Sequence, residues 1–482
     1  MLQTLKNAWN TREIRSKILF TLLILLIYRV GTVIPVPFVE ANDFAQSLSG
    51  TILDYMNTLS GGSLGAMTLF ALGVQPYINA SIIIQLLAVV FPKLGELAKN
   101  DKKKMNFITR IVTIVLAVVT AVGYYFLLRN GNAAAGVDTF LTRAAYEGPL
   151  AWLYGIVIVV CYTAGASLIM WLAERINEKG IGNGISLILF ANIIASVPSF
   201  VYNLAVVVVD TYSYTNNAWL YAIVSTLFAI VFIAFMLALI AVIIWFTGSE
   251  RRIPIQYAKK VVGRKMYGGQ STNLPIKLNM TGVMPIIFAS SIVSFLPTVF
   301  QILEGAGVIS ATKTPGWHTF AEIIGANGAV YPILLFLLII GFAYFYAQIT
   351  FDPIEVSNNL KKQGGAIPGI RQGRPTSDYI RKILNKITLA GALFLGVIAV
   401  LPVVLGPHVL KYFFEWLLSG AYDMTDGLAA LYQYYVQQGA ASLVSVFSFG
   451  GTTILIVVGV AIETFRELEA QLTMRNYKGF LN

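Results

Sequence analysis

Charge, cysteine and histidine are all scarce in this sequence. Only 12% of its 482 residues are Asp, Glu, Lys or Arg, about half the share usual in soluble domains, and a water-soluble globular class is excluded on that ground. The single cysteine, Cys161, can close no internal disulfide. The two histidines, His318 and His408, are too few for a His-rich metal or haem site. A phosphate loop of the form G-x-x-x-x-G-K followed by Ser or Thr is also missing, so energy from ATP has to enter through a partner. No cofactor is expected, and with no nucleophile and base to pair inside the apolar runs, the chain is not expected to be an enzyme.

What the sequence has in excess is apolar length. Hydrophobic residues make up 57% of the chain, gathered in runs close to the roughly 20 residues that cross a bilayer as a helix. The runs predict ten spans, at 18–34, 74–92, 108–128, 150–173, 185–209, 220–246, 283–300, 331–350, 387–405 and 443–462. Lipid satisfies no backbone amide, so each span has to be helical, and the fold class is an all-α integral membrane protein. Of the 34 Lys and Arg, 29 fall on the side of the N-terminus, whereas only Arg129, Arg143, Lys313 and Lys411 lie in the opposite loops. Basic residues are retained on the cytoplasmic side, so both termini are expected in the cytoplasm. Residues 1–17 carry Lys6, Arg12, Arg15 and Lys17 like the start of a signal peptide, but the run that follows has no small-residue cleavage site and reads as an uncleaved first span.

Several features exceed what a plain helical bundle needs. The stretch from Asp54 to Gly73 is moderately apolar, rich in glycine and hydroxyl residues, and unable to span. At membrane depth such backbone has to be enclosed by protein or line a cavity, which predicts a re-entrant or plug-like element; the alternative is an external surface loop. Asn79, Ser81 and Gln85 interrupt the second span and Ser290 and Ser291 the seventh, as in helices that face protein through weak polar contacts. Arg29, near the outer end of the first span, lies within snorkelling reach of the interface, and no carboxylate occupies a midplane position. That absence argues against ion-coupled transport.

Two long basic loops lie on the cytoplasmic side. In 248–281, two β-tending stretches flank a Gly-containing turn, which predicts a hairpin with Arg264 and Lys265 at its tip. In 351–386, the glycine and proline spacing around Asn359 to Thr376 predicts a loop rather than a helix. Both suit docking surfaces. A third segment, 406–441, holds two apolar stretches too short to cross, which read as amphipathic helices at the outer interface.

The ordered blocks Tyr28-Arg-Val-Gly-Thr-Val-Ile-Pro-Val-Pro37, Ser60-Gly-Gly-Ser63, Phe70-Ala-Leu-Gly-Val-Gln-Pro-Tyr-Ile-Asn-Ala-Ser81, Gly180-Ile-Gly-Asn-Gly-Ile-Ser186, Gln270-Ser-Thr-Asn-Leu-Pro275, Phe288-Ala-Ser-Ser291, Asn359-Leu-Lys-Lys362 and Pro368-Gly-Ile-Arg371 resemble the SecY family along nearly the full chain. The resemblance implies a protein-conducting channel of the bacterial plasma membrane. Its ten helices would form two inverted five-helix halves, 18–209 and 218–465, around an hourglass pore, between a cytoplasmic segment 1–17 and a tail 466–482. The hinge would be the external loop 210–217. It further implies a pore ring of Val74, Ile78, Leu189, Ile287, Val299 and Ile456. The plug would lie within about 51–65 and include Asp54, Tyr55, Met56, Asn57, Thr58, Leu59, Ser60, Gly61, Gly62 and Ser63. A lateral gate would hold Asn79, Ser81, Gln85 and Ser291, and partner docking would fall at Arg264, Lys265 and Arg371. The implied partners are SecE-like and SecG-like small subunits, the SecA motor or the ribosome, signal peptides and nascent polypeptides, and membrane lipid. An inverted-repeat secondary solute transporter is the alternative that ten spans also suit.

Overall fold

The computed structural model describes residues 2–40, 44, 52–130, 139–213, 218–257, 260–262, 265–267, 271–305, 315–324, 330–404 and 450–478. Its N-terminal part runs α1 (Leu2–Asn10), α2 (Arg12–Gly31), α3 (Ile52–Leu59), α4 (Gln75–Val90), α5 (Pro92–Asn100), α6 (Lys102–Asn130), α7 (Arg143–Glu147), α8 (Ala151–Lys179) and α9 (Gly184–Ser213). The remainder runs α10 (Ala218–Gly248), strands β1 (Glu250–Tyr257), β2 (Lys260–Val262), β3 (Lys265–Tyr267) and β4 (Ser271–Lys277), then α11 (Met284–Gly305), α12 (Pro315–Ile324), α13 (Val330–Thr350), α14 (Pro353–Lys362), β5 (Gly365–Ala366), α15 (Arg374–Val404) and α16 (Gly451–Lys478).

Among the described residues, seven helices are long and apolar enough to cross a membrane, and eight when the bent pair α4 and α5 is taken as one span. That bend of 118° falls at the end of the expected span 74–92, which α4 accounts for, and α5 runs on beyond it. Its cause is Pro92: the preceding Phe91 is pushed out of the helical region, to φ −102 and ψ 107, because the proline ring crowds it. The remaining two expected spans correspond to α2 and α16. The first carries Arg12, Glu13, Arg15, Lys17 and Arg29 at its ends, and the second continues well past its apolar part into Glu463, Arg466, Glu467 and Glu469. The hinge residues 214–217 and the whole of 406–441, with its two expected interfacial helices, lie outside the described residues.

Close backbone approach holds the first helices together. A Cβ built on Gly165 of α8 would lie 1.8 Å from the Leu69 carbonyl oxygen, and one on Gly31 would lie 2.1 Å from the Phe70 ring. Glycine at these two places lets the irregular segment 60–73 pack against α2 and α8. Segment 60–73 is therefore enclosed rather than spread over an outer surface: Ser60, Ser63, Leu64, Met67, Thr68, Phe70, Ala71 and Leu72 are all buried.

The two basic loops pack on each other in a small domain of their own. Strand β1 pairs antiparallel with β4 along its length and with β5 at Gln256 and Tyr257, while Ile253, Ile255, Ile276, Leu360, Ile367 and Ile380 form its core. The expected hairpin is present as β2 paired with β3, with Val262 opposite Lys265. The expectation for 351–386 is corrected. It holds helix α14, nucleated by Asp352, whose side chain accepts from the Ile354 amide at 2.8 Å, and by Pro353 in the first turn. From Arg374 onward it is helical again, because α15 runs unbroken into the ninth span.

Gly165→Ala is expected to lower stability by about 1–3 kcal/mol through overpacking against Leu69, measured as a fall in the thermal transition of the detergent-solubilised protein. An unchanged transition would mean that α8 withdraws from Leu69 without cost.

Candidate functional site

Four helices converge on the centre of the molecule. In α4, Val74, Ile78 and Ile82 follow one another at four-residue spacing, which stacks them on one face, and all three are buried. Helix α9 starts where Asn183 Oδ1 accepts from the amides of Ile185 and Ser186 at 3.1 and 3.4 Å, and Asn177 Oδ1 accepts from that of Gly184 at 2.7 Å. Two turns on, it buries Leu189 and Ile193. Helix α11 contributes Ile286 and Ile287, and α16 contributes Ile454, Leu455 and Ile456. Helix α16 comes close because Gly451 faces the Ile398 carbonyl and Gly459 faces Val283, where added Cβ atoms would lie at 1.9 and 2.0 Å.

Val74, Ile78, Leu189, Ile287 and Ile456 thus belong to one buried apolar cluster. Val299, the sixth position expected at the ring, does not. It sits near the far end of α11, half-buried, and lines a cavity of about 230 Å3 with Met56, Gln75, Asn79, Tyr124 and Thr298. Twelve residues along α11, about three helical turns, separate Val299 from Ile287, with Pro297 between them.

The segment 52–65 lies against this cluster. Tyr55 and Leu59 pack on it, while Leu53, Met56 and Leu64 turn to a second core beside Tyr124 and Tyr162. Its hydrogen bonds are few and directional. Asn192 Nδ2 donates to the Leu59 carbonyl and to the Tyr28 hydroxyl, both at 2.9 Å, and Ser196 Oγ donates to the Thr58 carbonyl at 3.2 Å. Within the segment, Asn57 Oδ1 accepts from the Gly65 amide at 2.8 Å. Gly61 and Gly62 take φ values of +68 and +85, which favour glycine. Arg29 reaches this turn instead of the interface, a correction to the snorkelling expectation. Its Nη1 is buried, and a Cβ at Gly61 would meet it at 2.9 Å and Asn192 Oδ1 at 3.0 Å.

The gate positions are held by weak polar contacts. Gln75 Nε2 donates to the Ser291 carbonyl at 3.4 Å, joining α4 to α11, and Gln85 Nε2 donates to Ser81 Oγ at 3.0 Å. The Tyr346 hydroxyl of α13 donates to Gln85 Oε1. Met56 contacts both neighbouring helices through its sulfur, which accepts from Tyr124 on α6 at 3.8 Å and from Thr298 on α11 at 3.2 Å. Sequence reasoning missed Gln75, Tyr124, Thr298 and Tyr346. A hydroxyl or amide inside an otherwise apolar span was the signal for each, as it was for Asn79 and Ser291.

On the loops, Arg371 is exposed at the tip of a braced turn. Ser357 Oγ donates to the Gly373 carbonyl at 2.8 Å, Thr376 Oγ1 to that of Arg371 at 2.8 Å, and Gln372 Nε2 to that of Gly365 at 3.1 Å. Lys265 opens β3, and Arg264 lies outside the described residues. Partial burial, with Arg466 nearby, holds the Lys277 ammonium below the ordinary lysine range. No group of three or more His, Cys, Asp or Glu able to hold a metal occurs among the described residues.

A family model described as SecY matches residues 68–465. The protein translocase subunit SecY of Streptomyces galbus is 38% identical over 495 aligned positions, which cover the whole of both chains. That of Mycobacterium tuberculosis is 38% identical over 496, again end to end. Among solved structures, one described as "The structure of a protein conducting channel" matches with a TM-score of 0.58 at 16% identity, covering 95% of this chain and 92% of the other. Another, "Sec61 in the Canine ribosome-channel complex from the endoplasmic reticulum", gives a TM-score of 0.55 with the same identity and coverage. These two likenesses concern the fold.

Asn192→Leu keeps the bulk of the side chain and removes both of its donated bonds. The loss is about 1–3 kcal/mol, so amide exchange across 57–65 is expected to accelerate about tenfold. Unchanged exchange would mean that Asn192 does not hold the segment.

Proposed function

This chain belongs to the SecY family, a multi-pass membrane channel for proteins rather than an enzyme, and we propose how its residues divide that work. Val74, Ile78, Leu189, Ile287 and Ile456 form the constriction, and Val299 lines the adjoining gate cavity. The observation that carries the assignment is their burial in one apolar cluster, with residues 55 and 59 packed against it. An apolar waist dewets and so resists ions, while aliphatic side chains move aside for a polypeptide of any sequence. Segment 51–65 is the plug that fills the space beside this waist at rest.

Asn79, Ser81, Gln85 and Ser291 belong to the lateral gate. Opening it lets a segment in transit partition into lipid, where each central Leu or Ile gains about 0.3–0.6 kcal/mol and each charge costs about 2.5–3.5. The two halves, 18–209 and 218–465, move about the loop 210–217. Release is thereby governed by partition, without reaction chemistry. Family membership disfavours the solute-transporter alternative, and the midplane carries no carboxylate in support of it.

Arg264, Lys265 and Arg371 dock the cytoplasmic partner, the SecA motor or a ribosome whose RNA phosphates attract Lys and Arg. SecE-like and SecG-like subunits complete the assembly in a bacterial plasma membrane, with both termini in the cytoplasm. This orientation rests on the distribution of Lys and Arg.

Two measurements test these assignments. With Cys161 replaced by Ser, cysteines placed at Ile78 and Ile287 should each crosslink to a stalled, extended translocation substrate; crosslinking at neither would place the path elsewhere. Arg371→Glu should abolish motor-driven transport into vesicles at unchanged channel content, and normal transport would remove Arg371 from the docking surface.

A further inference from the structure

Helix α12, Pro315–Ile324, has no part in the assignments above. It follows the end of α11 that points away from the β1–β5 loops, and it touches both α11 and α13. With ten residues, about 15 Å of helix, it cannot cross a bilayer. At 100° per residue, Trp317, Phe320 and Ile324 share one side of the helix, with Ile323 at its margin, and Thr319 lies on the other.

Two sets of contacts define its surroundings. Inward, Trp317 and Phe320 close an aromatic trio with the buried Phe300 of α11: the centroids lie 6.1 Å apart for Phe300 and Trp317, 5.7 Å for Phe300 and Phe320, and 6.0 Å for Trp317 and Phe320. Outward, the same residues remain uncovered. Trp317 is 58% exposed, Phe320 46% and Ile323 47%. Exposed apolar side chains also occur on the long apolar helices that precede and follow α12 in the chain. Phe295 and Leu296 are exposed on α11, and Val330, Ile333 and Leu337 on α13.

We infer that α12 lies flat in the headgroup layer of the membrane face opposite the β1–β5 loops, as a lipid anchor for the end of α11. Three observations select lipid as the occupant. The helix packs on α11 and α13, both long and apolar enough to cross a membrane and both bearing exposed apolar side chains. The largest exposed side chain of α12 itself is Trp317, whose apolar ring and indole N–H suit the boundary between headgroup and acyl chain. The helix is amphipathic along its sequence, as helices that lie in the headgroup layer are. Since the aromatic trio ties α12 to Phe300, four residues along α11 from Leu296, displacing α11 at this end has to drag α12 through the headgroups or break the trio. This inference does not depend on what passes through the centre of the molecule.

The test is depth-dependent quenching of Trp317. The full-length chain and its Trp317→Phe variant are reconstituted in phosphatidylcholine vesicles brominated either close to the glycerol ester or close to the methyl end of the acyl chain, and the difference in emission is assigned to Trp317. The expected result is a larger loss of this signal with the shallow bromines than with the deep ones, and little loss with aqueous acrylamide. Strong acrylamide quenching without bromolipid quenching would place the helix in water. Stronger quenching by deep bromines would place it in the hydrocarbon, and quenching by none of the three would mean that protein covers the face. Each of these outcomes overturns the anchor. Should Trp317→Phe fail to fold, a nitroxide attached to Ile323→Cys, with Cys161 replaced by Ala, gives the same depth from its accessibility to oxygen and to a water-soluble paramagnetic salt.

Discussion

The buried apolar cluster at the meeting of α4, α9, α11 and α16 is the constraint on which the other features depend. Its members attract one another by contact and by exclusion of water, neither of which has a preferred direction. Such a cluster can open by side-chain rotation and re-form around something else without leaving a polar atom stranded. A waist built from hydrogen-bonded groups would behave differently. Each opening would expose unpaired donors and acceptors, and the cost would vary with whatever chain lay between them. The choice of Val, Ile and Leu at positions 74, 78, 189, 287 and 456 therefore suits cargo recognised by its extended shape.

The segment beside this cluster is held by the opposite kind of force. The bonds from Asn192 to Leu59 and from Ser196 to Thr58 are few, each contributing about 1 kcal/mol, and they release together if the segment moves. The gate follows the same rule: Gln75 with Ser291 and Tyr346 with Gln85 are single polar contacts of the kind that average about 0.6 kcal/mol inside membranes. Continuous leucine packing across that seam would resist parting much more strongly. Met56, whose sulfur meets both Tyr124 and Thr298, links the segment to the two helices that flank the cavity.

How much of this was legible in the sequence varied with how local the cause was. Hydropathy located the spans because lipid imposes helices on any sufficiently apolar run. The glycines and hydroxyls of 54–73 showed that it does not span but left an enclosed element and an external loop both open, and the burial of most of residues 60–72 decides between them. Helix α14 was not: the glycines at 364, 369 and 373 dominate the composition of that loop and hide a short helix whose only announcement is Asp352 followed by Pro353. The inward turn of Arg29 was equally hidden, because it depends on the left-handed backbone at Gly61, thirty-two residues away. Val299 shows the remaining limit. Its residue type suits a ring of aliphatic side chains, but a position on α11 beyond Pro297 places it at the cavity, and no local pattern reports that difference in height.

The braced turn at Arg371 contrasts with the soft apolar cluster at the centre. A guanidinium that has to find a carboxylate or phosphate loses less freedom on binding when its backbone is already fixed. Here Ser357, Gln372 and Thr376 donate to the backbone carbonyls of Gly373, Gly365 and Arg371 itself, and Ile367 anchors the loop in the small core beneath. The same core holds β1 and Ile380 of α15, which runs on without a break as a membrane span packed against α13 and α16. Arg371 is thereby linked to the helix that leads to Ile398 and, through the close contact at Gly451, to the helix carrying Ile456. If Arg371 docks a partner as proposed, these continuous helices are the route by which force applied there would reach the apolar cluster, whose contacts have no preferred direction.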